Sequence, residues 1–377
     1  LDPHSFPTRR SSDLISAASM YTLFVGGYGG TVYTLYFDPT ALTLTHASSI
    51  SAGTAPTWLL LHPNGKLLYS CDEFAKDEGV ISAFLIAEDG KLELLETTRS
   101  GGGGPVHLAL SADAGRLCVA NYAGASLGGI VIKEDGRFPV SKQSQVFSFT
   151  GQGPQQDRQE APHPHGVFLE PTGTLLLLAD LGTDTLRIFT SSSSLSPLLD
   201  LPMTPGSGPR HLLFSTTPTH TLLYLLTELH NTIETYSLSY PTSSSPLSLT
   251  LLQSTSFLPI NQPTLGAWTG AELALTPSKS HLIVSNRAPD DPAPKDGTDV
   301  LTVFAVDAEG MLRGVPTFEA VGGLGLRHFA LGGEEGRWVA VGCQKTDEVV
   351  VFERRGGELE EVARVGGAKQ PTVVVWG

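Results

Sequence analysis

A single arrangement of apolar and polar positions recurs along the chain. A small residue or proline opens each copy, an apolar strand follows, a short polar turn reverses it, and a second apolar strand ends in a polar pair. The copies read APTWLLLHPNGKLLYSCDE at 55–73, GPVHLALSADAGRLCVANY at 104–122 and PHGVFLEPTGTLLLLADL at 164–181. Three more are GPRHLLFSTTPTHTLLYLLTEL at 208–229, GAELALTPSKSHLIVSNR at 270–287 and GLRHFALGGEEGRWVAVGCQ at 325–344. With a residue near the start of each first strand as marker, Trp58, His107, His165, His211, Glu272 and His328 are separated by 49, 58, 46, 61 and 56 residues. Such spacings suit propeller blades, whose period is roughly 40–50 residues, with room for longer loops.

Six copies leave both ends of the chain over, and together these make a seventh. PTVVVW at 371–376 repeats PTWLLL at 56–61, and LFVGGY at 23–28 repeats LCVANY at 117–122. The pattern predicts an all-β, seven-bladed β-propeller over residues 20–377, its last blade built from a C-terminal first strand and N-terminal remaining strands. That pairing closes the ring and removes an open sheet edge. The alternating segments TVYTLYF at 31–37 and LTVFAV at 301–306 read as third strands.

In a propeller the first strands line the central channel, and each second strand returns its end to the face where the first began. Two rings of side chains should meet there. The opening ring includes His107, His165, Arg210, His211, Arg327 and His328; the closing ring includes Glu73, Tyr122, Glu228, Arg287 and Gln344. Charges near an apolar axis are costly unless they pair or bind something, so this basic, histidine-rich mouth points to an anionic ligand. Arg210, Glu228 and Arg287 each differ from the residue found in most other copies, as a site grafted onto a repeat does. Asp72, Asn121, Asp180 and Asn286 share one repeat position and read as satisfying turn backbone. His107 and His328 recur at one strand-start position, where a hydrogen bond to a neighbouring blade competes with a functional role. His163 and His165 form an H-x-H pair that lacks an accompanying cysteine or carboxylate cluster in sequence, so a metal is not expected.

Composition narrows the partners. With 24 Lys and Arg against 38 Asp and Glu the net charge is −14, which argues against nucleic acid and anionic membranes. Charged residues make up 16%, and 41 Gly with 26 Pro suit short strands and tight turns. No apolar run approaches the ~20 residues of a membrane helix. Three cysteines, Cys71, Cys118 and Cys343, argue against a disulfide framework and for a reducing, cytoplasmic setting; within second strands they read as small buried hydrophobes. Residues 1–19 lack periodicity, an apolar core segment and a cleavage pattern, and so make a poor signal peptide. HSFPTRRSSDL within them reads as a translated sequencing-library adapter, so the native chain is expected to start at Met20, with the segment through Leu14 an assembly artefact. No long apolar patch sets an oligomeric state.

These motifs, in this order, resemble the seven-bladed propeller lactonases, a family that includes bacterial 6-phosphogluconolactonases and a fungal cyclase of 3-carboxy-cis,cis-muconate. The resemblance runs from about Tyr21 to Trp376 and rests on VGGY, GPVHLAL with LCVANY, PHPHGV with ADLGTD, GPRHLLF with LLTEL, LIVSNR, and LRHFAL with VGCQ. It implies an active centre of a histidine, two arginines and a glutamate, which fall on His165, Arg210, Arg287 and Glu228. His163, His211, His107, Tyr122, Glu73 and Gln344 are then expected to contact substrate. The resemblance implies neither metal nor redox cofactor. Three departures bear on the substrate: Thr227 where an asparagine is expected, His163 as a neighbour able to share the role of His165, and a long acidic loop at 288–299.

Two reactions fit these groups. In lactone hydrolysis Glu228 or His165 would act as base and then acid, while one arginine stabilises the oxyanion and the other holds a phosphate or carboxylate. In cycloisomerisation the arginines would anchor the carboxylates of a muconate. The leading expectation is hydrolysis of a small anionic sugar lactone such as 6-phosphogluconolactone; the alternatives are a carboxymuconate cyclase and a non-catalytic interaction scaffold.

Overall fold

A computed structural model describes residues 20–75, 78–139, 144–191, 194–217, 219–242, 245–259, 268–288 and 299–377. The segment 1–19 and most of the 288–299 loop lie outside the described residues. The rest forms seven four-stranded antiparallel sheets arranged as a closed propeller. Six blades are continuous, at 56–99, 105–148, 164–202, 209–256, 269–320 and 326–366. The seventh joins the two ends of the chain. The strand Pro371–Trp376 pairs antiparallel with Tyr21–Gly27, and Thr31–Asp38 and Thr43–Ser51 complete the sheet.

Burial explains the strand sequences. The second strands Leu67–Asp72, Arg116–Asn121, Leu175–Asp180 and Trp338–Cys343 are buried at every position. Each lies in a sheet covered on both faces by neighbouring blades, so its sequence runs apolar without alternation. The outer strands, such as Ser144–Ser148 and Leu195–Pro202, alternate toward solvent. Seven apolar clusters fill the blade interfaces, among them Leu23, Phe37 and Trp338 between the last two blades and Leu175, Leu223 and Tyr236 between the third and fourth. Cys71, Cys118 and Cys343 are free thiols buried in these layers.

One irregularity recurs and positions the site. In the first strand of a blade the pairing register skips a residue just after the opening position. Pro56 faces Asp72 and Trp58 faces Cys71, which leaves Thr57 unpaired. The same skip leaves Val106, His165, Arg210, Arg327 and Thr372 unpaired, and in the fifth blade it spans Ala271 and Glu272. These are β-bulges, which re-aim a side chain and bend the strand.

Candidate active site

The bulges sort the axial residues into two layers. Val106, His165, Arg210 and Arg327 line the cavity at the mouth, and with Thr57 and Thr372 they line a small void next to Trp58 and His211. The residues that follow them, Trp58, His107, His211 and His328, form a plug one layer deeper. Trp58 lies 4.1 Å from His107, 5.5 Å from His211 and 5.1 Å from His328, centroid to centroid. Glu272 joins this layer, accepting from His211 Nδ1 at 3.0 Å and lying 3.5 Å from His328 Nε2. His165 is therefore equivalent to Arg210 and Arg327. It stands one residue before the position of His107, His211 and His328, so its use as their counterpart in the repeat spacing was off by one. Adjacent residues such as Arg210 and His211 occupy different layers because the bulge separates them.

Above the plug is a cavity of about 230 Å³, lined by His165, Arg210, Arg327 and Val106 from first strands, Glu73, Tyr122, Glu228 and Arg287 from second-strand ends, and Arg158 and Thr269. Glycine turns set the closing residues in place. Gly104 and Gly208 have φ of +62° and +63°, a region open to glycine at little cost. Their carbonyls accept from the N–H of Tyr122 at 2.7 Å and of Glu228 at 2.8 Å. A side chain at Gly208 would sit 2.6 Å from Leu229 Cγ.

Glu228 is the electrostatic centre. Its side chain is 2% exposed and pairs with Arg210, with Arg158 at 2.7 Å and with Arg287 at 3.2 Å. Burial alone would raise its pKa, but Arg210, Arg287 and Arg158 together outweigh burial and hold the carboxyl well below the usual range. Two of the arginines have backbone anchors: Arg210 Nε donates to Ala271 O at 2.8 Å and Arg287 Nη2 to Gly270 O at 2.9 Å. Burial, eased by Glu228, brings Arg287 down to about 9, still a cation at neutral pH. His165 is buried beside Arg210 and His211, and burial first, then those neighbours, depress it well below 6.5. Its imidazole is neutral at pH 7, and Nδ1 has no hydrogen-bond partner among the described residues. Across the cavity Tyr28 donates to Glu73 at 3.4 Å and lies under the Arg327 guanidinium.

The structure thus brings His165, Arg210, Glu228, Arg287, Tyr122 and Glu73 to one cavity. The other expected contacts lie elsewhere. His107 sits in the plug and faces an apolar depression on the opposite side, with Phe168 and Leu212. His211 lines a small void shared with His165 and Arg210 but not the cavity itself. His163 stacks on Tyr122 at 4.3 Å, meets Glu160 at 3.1 Å and does not line the cavity. Gln344 is half-buried and does not line the cavity. Among the described residues no group of three or more His, Cys, Asp or Glu side chains converges to hold a metal. Asp72 accepts from Thr54 and Ala55 N–H at 2.8 Å, and Asp180 accepts from His163 N–H at 2.8 Å; both serve backbone. Thr227 bonds Thr232 across its own hairpin, 2.7 Å between hydroxyls.

Arg158 was not found from sequence. It sits in the connection between the second and third blades, outside every repeat copy, where blade alignment carries no signal. That connection is built rather than loose: buried Gln159 donates to Leu181 O and Asp184 Oδ1, both at 2.8 Å, and Gln155 to Gly206 O at 2.7 Å. Asp184 also accepts from Gly206 N–H at 2.6 Å and Gly208 N–H at 2.8 Å. One carboxylate therefore fixes both the Arg158 loop and the turn that leads into Arg210.

Comparison with known proteins agrees with this architecture. A protein of Arthroderma benhamiae named "Probable 6-phosphogluconolactonase" is 32% identical over 334 residues, covering 87% of this chain and 81% of its own length. The Bacillus subtilis 6-phosphogluconolactonase is 29% identical, covering 89% and 91%. A Bacteroides fragilis crystal structure superposes with a TM-score of 0.81 at 28% identity, covering 97% of this chain and all of that one. The Pseudomonas aeruginosa periplasmic gluconolactonase gives 0.77 at 25% identity, covering 95% and 99%. The family described as lactonase, 7-bladed beta-propeller, matches residues 18–376, and the chain belongs to it.

Proposed function

We propose that the protein hydrolyses a small anionic sugar lactone of the 6-phosphogluconolactone kind. The observation that carries this reading is the charge arrangement: four arginines and two carboxylates surround one neutral, buried imidazole in a small-metabolite cavity. Hexonolactone hydrolysis needs a base that is unprotonated at neutral pH and cations for the developing oxyanion. His165 supplies the first. It takes a proton as water adds to the lactone carbonyl carbon, and the carbonyl π electrons move to oxygen facing Arg210 and Arg287. When the carbonyl reforms, the bond to the ring oxygen breaks, and that oxygen takes the proton from His165. Glu228 stays ionised and holds the arginines in place. The names of the Bacillus and Arthroderma relatives support this substrate class. A cytoplasmic location accords with three free, buried cysteines.

The test offers the purified protein 6-phosphogluconolactone and 3-carboxy-cis,cis-muconate. Hydrolysis of the first, lost by about 10²–10⁴-fold in His165→Asn, is expected. Muconate cyclisation without lactone hydrolysis would move the protein to the cyclase reading.

A further inference from the structure

Four arginines line the cavity, but they are not held alike. Arg210 and Arg287 are 3% and 15% exposed and each also donates to a backbone carbonyl. Arg158 is 37% exposed at the mouth and is held by Glu228 and the Tyr122 hydroxyl, and among the described residues its side chain has no backbone anchor. Glu228 keeps two guanidiniums if Arg158 swings away. Its backbone, meanwhile, is fixed by Gln159 and Gln155, so the guanidinium is presented at a defined place on the rim. The cavity holds four arginines against Glu73 and Glu228, a surplus of two positive charges that a phosphomonoester dianion neutralises. In a 6-phosphohexono-δ-lactone the carbonyl carbon C1 and the carbon that carries the phosphate-bearing C6 flank the ring oxygen, so the phosphate lies beside the carbonyl, much as Arg158 and Arg210 lie side by side on Glu228. With the carbonyl facing His165 and Arg210, the phosphate comes to the neighbouring and more exposed Arg158.

We propose that Arg158 is the phosphate-reading residue of this site, exchanging its bond to Glu228 for a two-pronged bond to the substrate phosphate. This rests on the lactonase reading and adds what decides between a phosphorylated and a plain sugar lactone. Guanidinium is suited to it because its parallel N–H pair matches two phosphate oxygens.

The experiment measures kcat/KM on 6-phosphogluconolactone and on glucono-δ-lactone for the wild type, Arg158→Ala and Arg158→Lys. The ratio of the two kcat/KM values should fall about 100-fold in Arg158→Ala and less in Arg158→Lys, which keeps charge but loses the fork. A ratio left within about threefold of wild type would overturn the assignment, whether both activities fall together or neither does. Binding of 6-phosphogluconate and of gluconate, followed by calorimetry, separates this from failure of the lactonase reading. If the wild type hydrolyses neither lactone, a tenfold or greater loss of 6-phosphogluconate affinity confined to Arg158→Ala still upholds the phosphate site, and equal affinities in the two proteins reject it.

Discussion

Replacing Glu228 by glutamine keeps the shape of the side chain and removes one charge from the centre of the site. The consequence for stability has a definite sign. Active-site carboxylates crowded by like charge are often destabilising, so their removal stabilises. Glu228 is crowded by opposite charge instead: it is 2% exposed and pairs with three arginines, of which Arg210 is 3% exposed. Removing one member of such a buried pair leaves uncompensated charge and costs about 3–5 kcal/mol. Unfolding entropy is about 2.1 cal/mol/K per residue, so a ring of this length has roughly 0.75 kcal/mol/K and the Tm should drop by about 4–7 °C. The deficit depends on pH in a set direction. Because the arginines depress the Glu228 pKa, its contribution is complete above the unfolded carboxyl value near 4.5 and is lost as pH falls through the folded value. The Tm gap between wild type and Glu228→Gln should therefore be full at pH 7 and narrow below about pH 4.5. Calorimetry at several pH values measures it. An unchanged or raised Tm at pH 7 would refute the view that Glu228 is the counter-charge that keeps the arginines together.

Further expectations follow from the same geometry. Asp184→Asn should lower stability by about 2–3 kcal/mol in chemical denaturation, because its amide opposes donors now satisfied by a carboxylate. The same substitution should lower kcat/KM, since it loosens Arg158 and Arg210 together. Buried His165 has its pKa pushed below 6.5, so the neutral base persists on acidification and the acid limb of the kcat/KM profile should lie below pH 6.5; a limb at or above 6.5 would count against His165 as the base. His107, His165, His211 and His328 are all depressed by burial, so below about pH 6.5 the unfolded chain takes up protons that the folded one refuses, and Tm should fall with pH.

The seven-blade ring could be read from sequence because each second strand is buried on both faces, which forces the same apolar run into every copy. The closing-ring residues Glu73, Tyr122, Glu228 and Arg287 could be read for a related reason: each ends a regular strand at a fixed distance from its turn. The opening ring was less legible. A bulge has no residue signature of its own, and it alone decides that Arg210 meets substrate space while His211 meets the plug. Histidine at both kinds of position made His165 and His107 look equivalent, although their layers differ. Arg158 was out of reach because a blade-to-blade connection obeys no repeat, and its value comes from Gln159 and Asp184 holding that connection at the rim of the cavity.

The joining of the chain ends also fixes an order of events during synthesis. The strand Tyr21–Gly27, with Leu23, Phe24 and Val25 fully buried in the finished ring, emerges from the ribosome before the other strands of the ring. Its partner Pro371–Trp376 is made after every other described strand of the ring. At about 5–20 residues per second the first strand waits roughly 17–70 s with one edge unpaired. During that interval the nascent chain carries a sticky apolar ribbon at its leading end, open to pairing with other nascent chains. Blades formed in the meantime cannot shield it, because the only strand cut to its register has not been translated. Solubility of this protein in a cell thus depends on how fast the whole stretch between these two strands is read, as well as on the strength of the ring their pairing completes.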